Sequence, residues 1–277
     1  MTPKIQKNTG FDAEAAELPE WLTGFRPRRG LRNGHLQTIV GNYLPRPAFV
    51  LESEEEAVEV DAADGSRVVC HCHWHDEDRA GRLTAILVHG LEGSSKSQYI
   101  RGIAARAWDA GMNVIRMNMR NCGDTDALHE PANRGYEWHF LRGLMRRFRR
   151  KVALFPELYD TTGIGPIKSL RQFDNEIVAR YCDFADADDY YYRAAAARVV
   201  DRIVVPTLVL QANDDPFIRL FKETRAKLRA NPHIAFVETN HGGHCAYLSQ
   251  DGGDEIHWAE AAVIRFLADL AGKPHGS

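Results

Sequence analysis

The sequence predicts a single α/β domain, spanning residues 1–277, with a mostly parallel sheet and helices on both of its faces. Short apolar runs at 84–88, 113–119, 206–211 and 234–238 have the length and composition of buried parallel strands. Segments with helical spacing at 97–110 and 254–270 follow the first and the last of these runs. Alternating strand and helix signals of this kind are typical of α/β architecture.

The first half of the chain supplies the clearest elements. Residues 1–50 form a polar, Pro- and Arg-rich lead-in with a short helix over 34–39. Strand-like runs at 57–61 and 67–75 flank the turn signal at 63–65. Thr84–Val88 predicts a strand buried on both faces, and the helix after it should end at Gly111, in the C′ position. With the strand at 113–119, this completes a βαβ unit.

The second half adds a helical insertion, predicted to resemble a lid, over residues 136–200. Within it, residues 138–155 form an amphipathic helix with one arginine-rich face. This face could contact an anionic membrane, cover an acyl-binding cleft, or simply be solvated. An alanine-rich helix is expected over 193–200.

Composition excludes several classes of protein. The formal net charge is −3, from 35 basic and 38 acidic side chains, so the overall field does not favour nucleic acid as a partner. Five scattered cysteines do not resemble a disulfide framework, which favours the cytoplasm. The alternating Cys and His residues at 70–75 lack metal-ligand spacing and indicate a half-exposed edge strand. We expect no metal and no cofactor.

Three loops that follow predicted strands contain residues suited to catalysis. Residues 89–95 form a glycine-bearing strand-to-helix loop that could direct the backbone N–H of Leu91 at an oxyanion. The alternative is an ordinary turn in which Ser94 or Ser95 caps the helix. After the strand at 206–211, Asp215 is the better candidate to orient an imidazole, although an Asp-Asp-Pro turn needs no function.

The third loop follows the strand at 234–238 and contains two histidines. His244, after paired glycines, is the candidate general base, and His241 is the competing choice. The order of oxyanion loop, acid and histidine matches the order of α/β hydrolases, in which the acid precedes the histidine.

Several motifs together resemble those of the YheT-like branch of the α/β-hydrolase fold. They are Arg-Asn-Gly-His-Leu-Gln-Thr-Ile at 32–39, the loop at 89–95, Arg-Asn-Cys-Gly-Asp-Thr at 120–125, Tyr-Glu-Trp-His-Phe at 136–140, and the Asp-Asp-Pro-Phe and His-Gly-Gly-His motifs. The similarity extends from Trp21 to Leu270. It implies an eight-stranded, mostly parallel sheet, an ester or lipid substrate, Asp215 as triad acid, His244 as base and Leu91 as oxyanion donor.

The chain departs from this pattern at the nucleophile. The family's Gly-x-Ser-x-Gly elbow belongs between the motifs at 120–125 and 136–140, where this chain has only residues 126–135. None of the eight serines has glycines two residues away on both sides; they are at positions 53, 66, 94, 95, 97, 169, 249 and 277. Two central βα units, on the order of 60 residues, are therefore expected to be missing from the sheet. Their loss would expose Thr84–Val88 or pair it with another strand, although the composition of this run predicts burial.

Without an activated hydroxyl, His244 has no serine proton to accept, and the acyl-enzyme route is closed. Ser94, Ser95, Cys122 and Cys245 are weak substitutes. The sequence thus predicts an esterase-family protein with impaired activity. A non-catalytic lipid- or protein-binding relative and a truncated gene product are the alternatives.

Overall fold

The computed structural model describes residues 18–46, 56–61, 67–90, 93–118, 134–250 and 256–272. The predictions at Leu91, at Cys122 and for most of the segment 126–135 lie outside these residues. Six strands are present in the described ranges: β1 Glu56–Asp61, β2 Arg67–His73, β3 Thr84–Val88, β4 Asn113–Met117, β5 Thr207–Ala212 and β6 Ile234–Thr239.

The helices fall between and after these strands. They are α1 Glu20–Thr23, α2 Gly34–Tyr43, α3 Gln98–Asp109, α4 Arg134–Leu154, α5 Leu170–Phe173, α6 Ala187–Ala194, α7 Lys222–Ala230 and α8 Trp258–Leu270. A π-helical turn, Asp174–Ala179, continues α5, and two 3₁₀ turns, Ala196–Arg198 and Val200–Arg202, follow α6.

The described strands form two sheets, one of four strands in the order β1-β2-β4-β3 and one of two strands, β5-β6. β3–β4 and β5–β6 are parallel pairs, whereas β1–β2 and β2–β4 are antiparallel. The sheet is therefore mixed rather than mostly parallel in the described residues. β1 and β2 follow each other closely in the chain, and a short connection permits only antiparallel pairing.

Helices α3 and α8 cover one face of the parallel pair β3–β4. Ala85 and Val114 of these strands pack with Ala104 and Ala107 of α3 and with Ile264 of α8. Gly111 has φ of 77° directly after α3, and its N–H donates to the carbonyl of Trp108 at 2.8 Å. The predicted C′ glycine is therefore confirmed, because this left-handed conformation favours glycine.

The β5–β6 pair has helices on both faces. Alternate residues of β6 point to opposite sides: Val237 packs with Trp258 of α8, while Ile234 packs with Leu228 of α7. The carboxyl ends of both strands lead into the loops that contain Asp215 and His244.

The prediction that Thr84–Val88 is buried on both faces is wrong. Ala85 is buried, but Ile86 is 62% exposed and Val88 47% exposed. β3 pairs only with β4 among the described strands, and no described element covers its second face. An apolar run therefore forms an edge strand here, a position that is usually avoided because of its open hydrogen-bonding groups.

Two further predictions are also wrong. The strand at 67–73 is internal rather than at the edge, because β2 pairs with both β1 and β4. The helix expected over 193–200 begins earlier, at Ala187. The Asp186 side chain caps it by accepting from the N–H of Asp189 at 2.8 Å, and the extended backbone of Ala195 ends it.

Within the predicted insertion 136–200, the apolar face of α4 packs into a cluster of its own. Leu141 and Phe148 of α4 contact Phe173 and Ile177 of the following helical segment. The basic face of α4 is consequently exposed to solvent. The assignment of this region as a lid stays a prediction.

Candidate active site

Asp215 and His244 meet at the carboxyl end of the β5–β6 pair. Nδ1 of His244 lies 3.0 Å from Oδ2 of Asp215. The Asp215 side chain is 8% exposed and that of His244 is 37% exposed. Because β5 and β6 are parallel, the loops after them share one sheet edge, where ligand-facing groups of open α/β sheets lie. A buried acid thus supports a histidine ring that solvent can reach.

The loop of Asp215 fixes its carboxylate. Oδ1 accepts backbone N–H bonds from Phe217 at 2.7 Å and from Ile218 at 3.0 Å, which leaves Oδ2 for the imidazole. Such bonds hold the carboxylate in one orientation. A histidine that donates Nδ1–H to this oxygen presents Nε2 as a base, the arrangement used in Ser-His-Asp triads.

Helix α2 positions the histidine loop from the other end of the chain. The N–H of His244 donates to Oγ1 of Thr38 at 2.8 Å, and the same hydroxyl donates to the carbonyl of Gly34 at 2.7 Å. One threonine therefore links the first turn of α2 to the backbone of the candidate base.

Glycine is required where α2 meets the two loops. A Cβ at Gly34 would lie 2.0 Å from the carbonyl oxygen of Asp214. A Cβ at Gly243 would lie 2.5 Å from the carbonyl oxygen of Gly34, and Gly243 has φ of +58°. These contacts explain why the Asn-Gly-His-Leu-Gln-Thr motif has a glycine at position 34.

The buried Gln37 holds the chain beyond the histidine. Its Oε1 accepts the N–H of Leu248 at 2.8 Å, and its Nε2 donates to the carbonyl of Leu248 at 3.5 Å. Between His244 and Leu248, the non-glycine residues Cys245 and Tyr247 have positive φ values of 59° and 42°. The amide of Gln37 therefore fixes a sharply turned segment.

Each histidine of the loop has its own aspartate. Nδ1 of His241, the competing candidate, lies 3.4 Å from Oδ2 of Asp214, whose Oδ1 accepts the N–H of Gly243 at 2.9 Å. The His244–Asp215 distance is shorter, and its acid is the more buried of the two. The geometry therefore favours His244, while its catalytic role stays a prediction.

Two aromatic side chains connect α4 to this site. The ring of Phe217 lies edge-on to the ring of His244 at 4.8 Å, and Phe140 of α4 lies edge-on to Phe217 at 5.9 Å. α4 is thereby adjacent to the candidate base.

In the described part of the loop after β3, several backbone N–H groups donate to nearby side chains. The N–H of Gly90 donates to the hydroxyl of Tyr99 at 2.7 Å. Neither Ser94 nor Ser95 caps α3: the N-cap residue is Ser97, and its Oγ accepts the N–H of Ser94 at 2.9 Å. The N–H of Ser95, a buried residue, donates to Oδ1 of Asn118 at 2.8 Å.

The weak nucleophile candidates gain no support from their surroundings. Cys245 is exposed as a residue, yet desolvation of its thiol and the nearby Asp215 carboxylate raise the thiol pKa to about 11. A thiol with this pKa is protonated at neutral pH and is a poor nucleophile. Among the described residues, the polar partners of His244 are Asp215 and Thr38, and no serine hydroxyl bonds to Nε2.

Sequence reasoning singled out Asp215 and His244 but missed the roles of Gly34, Gln37 and Thr38. The distinctive string at 32–39 was the available signal. In the described ranges, no group of three or more His, Cys, Asp and Glu side chains has a geometry that could hold a metal ion. No described helix is both long enough and apolar enough to cross a membrane.

Several known proteins similar to this chain are esterases or lipases by name. “Putative esterase YheT” of Escherichia coli is 24% identical over 88% of this chain and 92% of its own length. An abhydrolase domain-containing protein of Dictyostelium discoideum is 24% identical over 88% and 80%, respectively. “Medium-chain fatty acid ethyl ester synthase/esterase 2” of Saccharomyces cerevisiae is 37% identical, but over 36% of this chain and 21% of its own.

A solved Rhizomucor miehei esterase has a TM-score of 0.44 at 13% identity over 94% of each chain, a likeness too distant to bear on the reaction. No family model matches the chain. The sequence similarities nevertheless extend over most of its length. Over most of its length the chain is a homologue, at 24% identity, of “Putative esterase YheT” and of an abhydrolase domain-containing protein.

Proposed function

We propose that this protein binds acyl esters in an esterase-type site whose Asp215–His244 pair is retained and whose serine-dependent turnover is impaired. The observation that carries the proposal is the 3.0 Å contact between a buried carboxylate and an accessible imidazole. This contact lies at the sheet edge where α/β proteins bind ligands.

The proposed chemistry follows from what the pair can and cannot do. With Nδ1–H directed at Asp215, Nε2 of His244 can accept a proton from a nucleophile. In a serine hydrolase the nucleophile is a hydroxyl, and an acyl-enzyme forms. Here we propose that water takes its place. As the water oxygen bonds to the acyl carbon, Nε2 of His244 accepts its proton and passes that proton to the alcohol oxygen, whose bond to the acyl carbon breaks. Sites that lack a triad member retain roughly 10³–10⁴-fold rate enhancement over water through oxyanion and substrate binding alone. Only hydrolysis that is lost in His244→Gln therefore reports the proposed role of the imidazole.

Three observations support the proposed loss of the nucleophile. No serine of the chain lies in a Gly-x-Ser-x-Gly context, and no described serine bonds to His244. The alignment with YheT is 324 positions long, which exceeds the 277 residues of this chain. YheT therefore has residues without a counterpart here. The open edge of β3 agrees with missing neighbouring strands.

The names of the relatives guide the proposed ligand class. They include a medium-chain fatty acid ethyl ester synthase/esterase and the mouse “Phospholipase ABHD3”, which is 26% identical over 53% of this chain and 34% of its own length. We therefore propose an ester of a fatty acid as the ligand. Phe140 and Phe217 supply apolar surface beside His244.

The test is to treat the purified protein with a fluorophosphonate probe and to map any adduct by mass spectrometry. The same preparation is assayed for hydrolysis of an activated medium-chain ester, with His244→Gln as comparison and His233→Gln as matched control. His233 is exposed and does not bond to an acid among the described residues. We expect no serine adduct and slow hydrolysis that is lost in His244→Gln only.

Other outcomes contradict the proposal in distinct ways. A labelled serine whose reaction depends on His244 would show that a functional nucleophile exists. A cooperative thermal transition without any His244-dependent hydrolysis would favour a non-catalytic binding protein. The lack of a cooperative transition would favour a truncated product, which resequencing between the codons for Thr125 and Gly135 tests directly.

A further inference from the structure

We propose that the exposed face of α4 is a docking surface for an anionic lipid bilayer. Along this face, Trp138, Arg142, Arg146, Arg150 and Leu154 follow one another at four-residue steps, so they form one row on the helix surface. The guanidinium of Arg142 lies 5.4 Å from the ring centroid of Trp138. The inference rests on the proposed function only in assigning an ester ligand to the adjacent site.

Charge is concentrated on this helix. Its sequence has seven basic side chains and one acidic side chain, whereas the whole chain has a net charge of −3. Leu141 and Phe148 are buried on the opposite side, which fixes the direction of the basic face. A positive surface on an acidic protein attracts anionic lipid headgroups and is screened by salt.

Apolar side chains at both ends of the row distinguish a bilayer from other polyanions. Trp138 is 62% exposed at one end; at the other, Leu154, Phe155 and Leu158 are 59%, 46% and 64% exposed. Interfacial helices combine basic residues with Trp, Phe and Leu that enter the headgroup boundary. An RNA partner would neutralise the arginines but would leave the leucines in water.

Docking in this orientation would bring the candidate site to the bilayer. Phe140, in the first part of α4, contacts Phe217, and Phe217 contacts His244. The site is therefore one aromatic layer away from the docking helix. A lipid ester could enter it without crossing bulk water.

The experiment measures sedimentation of the full chain with vesicles of phosphatidylcholine alone and with equimolar phosphatidylcholine and phosphatidylserine. We expect binding to the anionic vesicles only, weakened by added salt. Each arginine near such a surface contributes about fivefold to binding, so R142Q/R146Q/R150Q should lower the partition coefficient roughly a hundredfold. R26Q/R28Q/R29Q is the charge-matched control, because these arginines are exposed in the lead-in.

A second readout tests the apolar contact. Vesicle binding should shift the tryptophan emission to shorter wavelength in the parent protein and less so in Trp138→Phe. Equal loss of binding in both triple variants, or binding to RNA in place of vesicles, would overturn the inference. Thermal melting of each variant checks that it is folded. Vesicle binding needs no hydrolysis, so failure here and failure of the ester assay are independent results.

Discussion

Replacing His257 by phenylalanine should make the stability of this protein less sensitive to acid. His257 precedes α8, is 1% exposed, and both of its ring nitrogens are shielded from solvent. Arg46 and Arg106 lie near the ring, and both bond to the buried carboxylate of Glu260. Burial, together with these two guanidinium groups, lowers the pKa of His257 from 6.5 to about 4.

The magnitude follows from this lowered pKa. The unfolded chain takes up the proton as pH falls through 6.5, whereas the folded chain does so only near pH 4. The contribution of His257 to stability is therefore complete above pH 6.5 and is lost as pH falls towards 4. Between pH 7 and pH 4.5 the loss amounts to about 2.5 kcal/mol. Glu260 acts in the opposite direction, because burial raises its pKa.

The assay is urea denaturation of the parent protein and His257→Phe at several pH values from neutral to about 4.5. The difference between their free energies of unfolding should change with pH by about 2.5 kcal/mol in favour of the variant at acid pH. His233→Gln, which changes an exposed histidine, should run parallel to the parent protein. Parallel curves for His257→Phe and the parent protein would refute the reasoning.

Three further substitutions test the support of the site and the open strand. Thr38→Val removes the hydroxyl, so it should speed amide hydrogen exchange at His244 and lower the free energy of unfolding by about 1–3 kcal/mol. Thr38→Ser keeps the hydroxyl and should leave both quantities unchanged. Equal effects of the two substitutions would contradict the bridging role. Gly34→Ala should lower the melting temperature, because its Cβ would overlap the carbonyl of Asp214; an unchanged melt would show that the loop yields. Ile86→Lys should reduce concentration-dependent aggregation at little cost in stability, as measured by light scattering; a large loss of stability would mean that β3 is covered in solution.

The order of strands and loops could be predicted from the sequence, but the contacts by which α2 holds the histidine loop could not. Asp215 and His244 each follow an apolar run, and parallel strands bring their carboxyl ends to one edge. Thr38 contacts His244 across 206 positions of sequence, and local patterns carry no record of so distant a contact. The sequence therefore indicates Thr38 and Gly34 only as members of the distinctive motif at 32–39, without their contacts.

The burial of the strand at 84–88 could not be predicted for a related reason. The run at 84–88 has the composition of a strand that is covered on both sides, but composition does not reveal whether neighbours are present. The alanine content predicts a helix over 193–200, but alanine content does not indicate where a capping side chain lies. The carboxylate of Asp186 caps α6, so this helix begins at residue 187.

The described contacts of the Asp–His pair explain how it could persist in a chain whose sequence has no Gly-x-Ser-x-Gly motif. The carboxylate of Asp215 is oriented by the backbone of its own loop, and His244 by Thr38 of α2. None of these groups lies between β4 and α4, where the family resemblance would place a nucleophile elbow. The pair can thus keep its geometry whether or not a serine faces it.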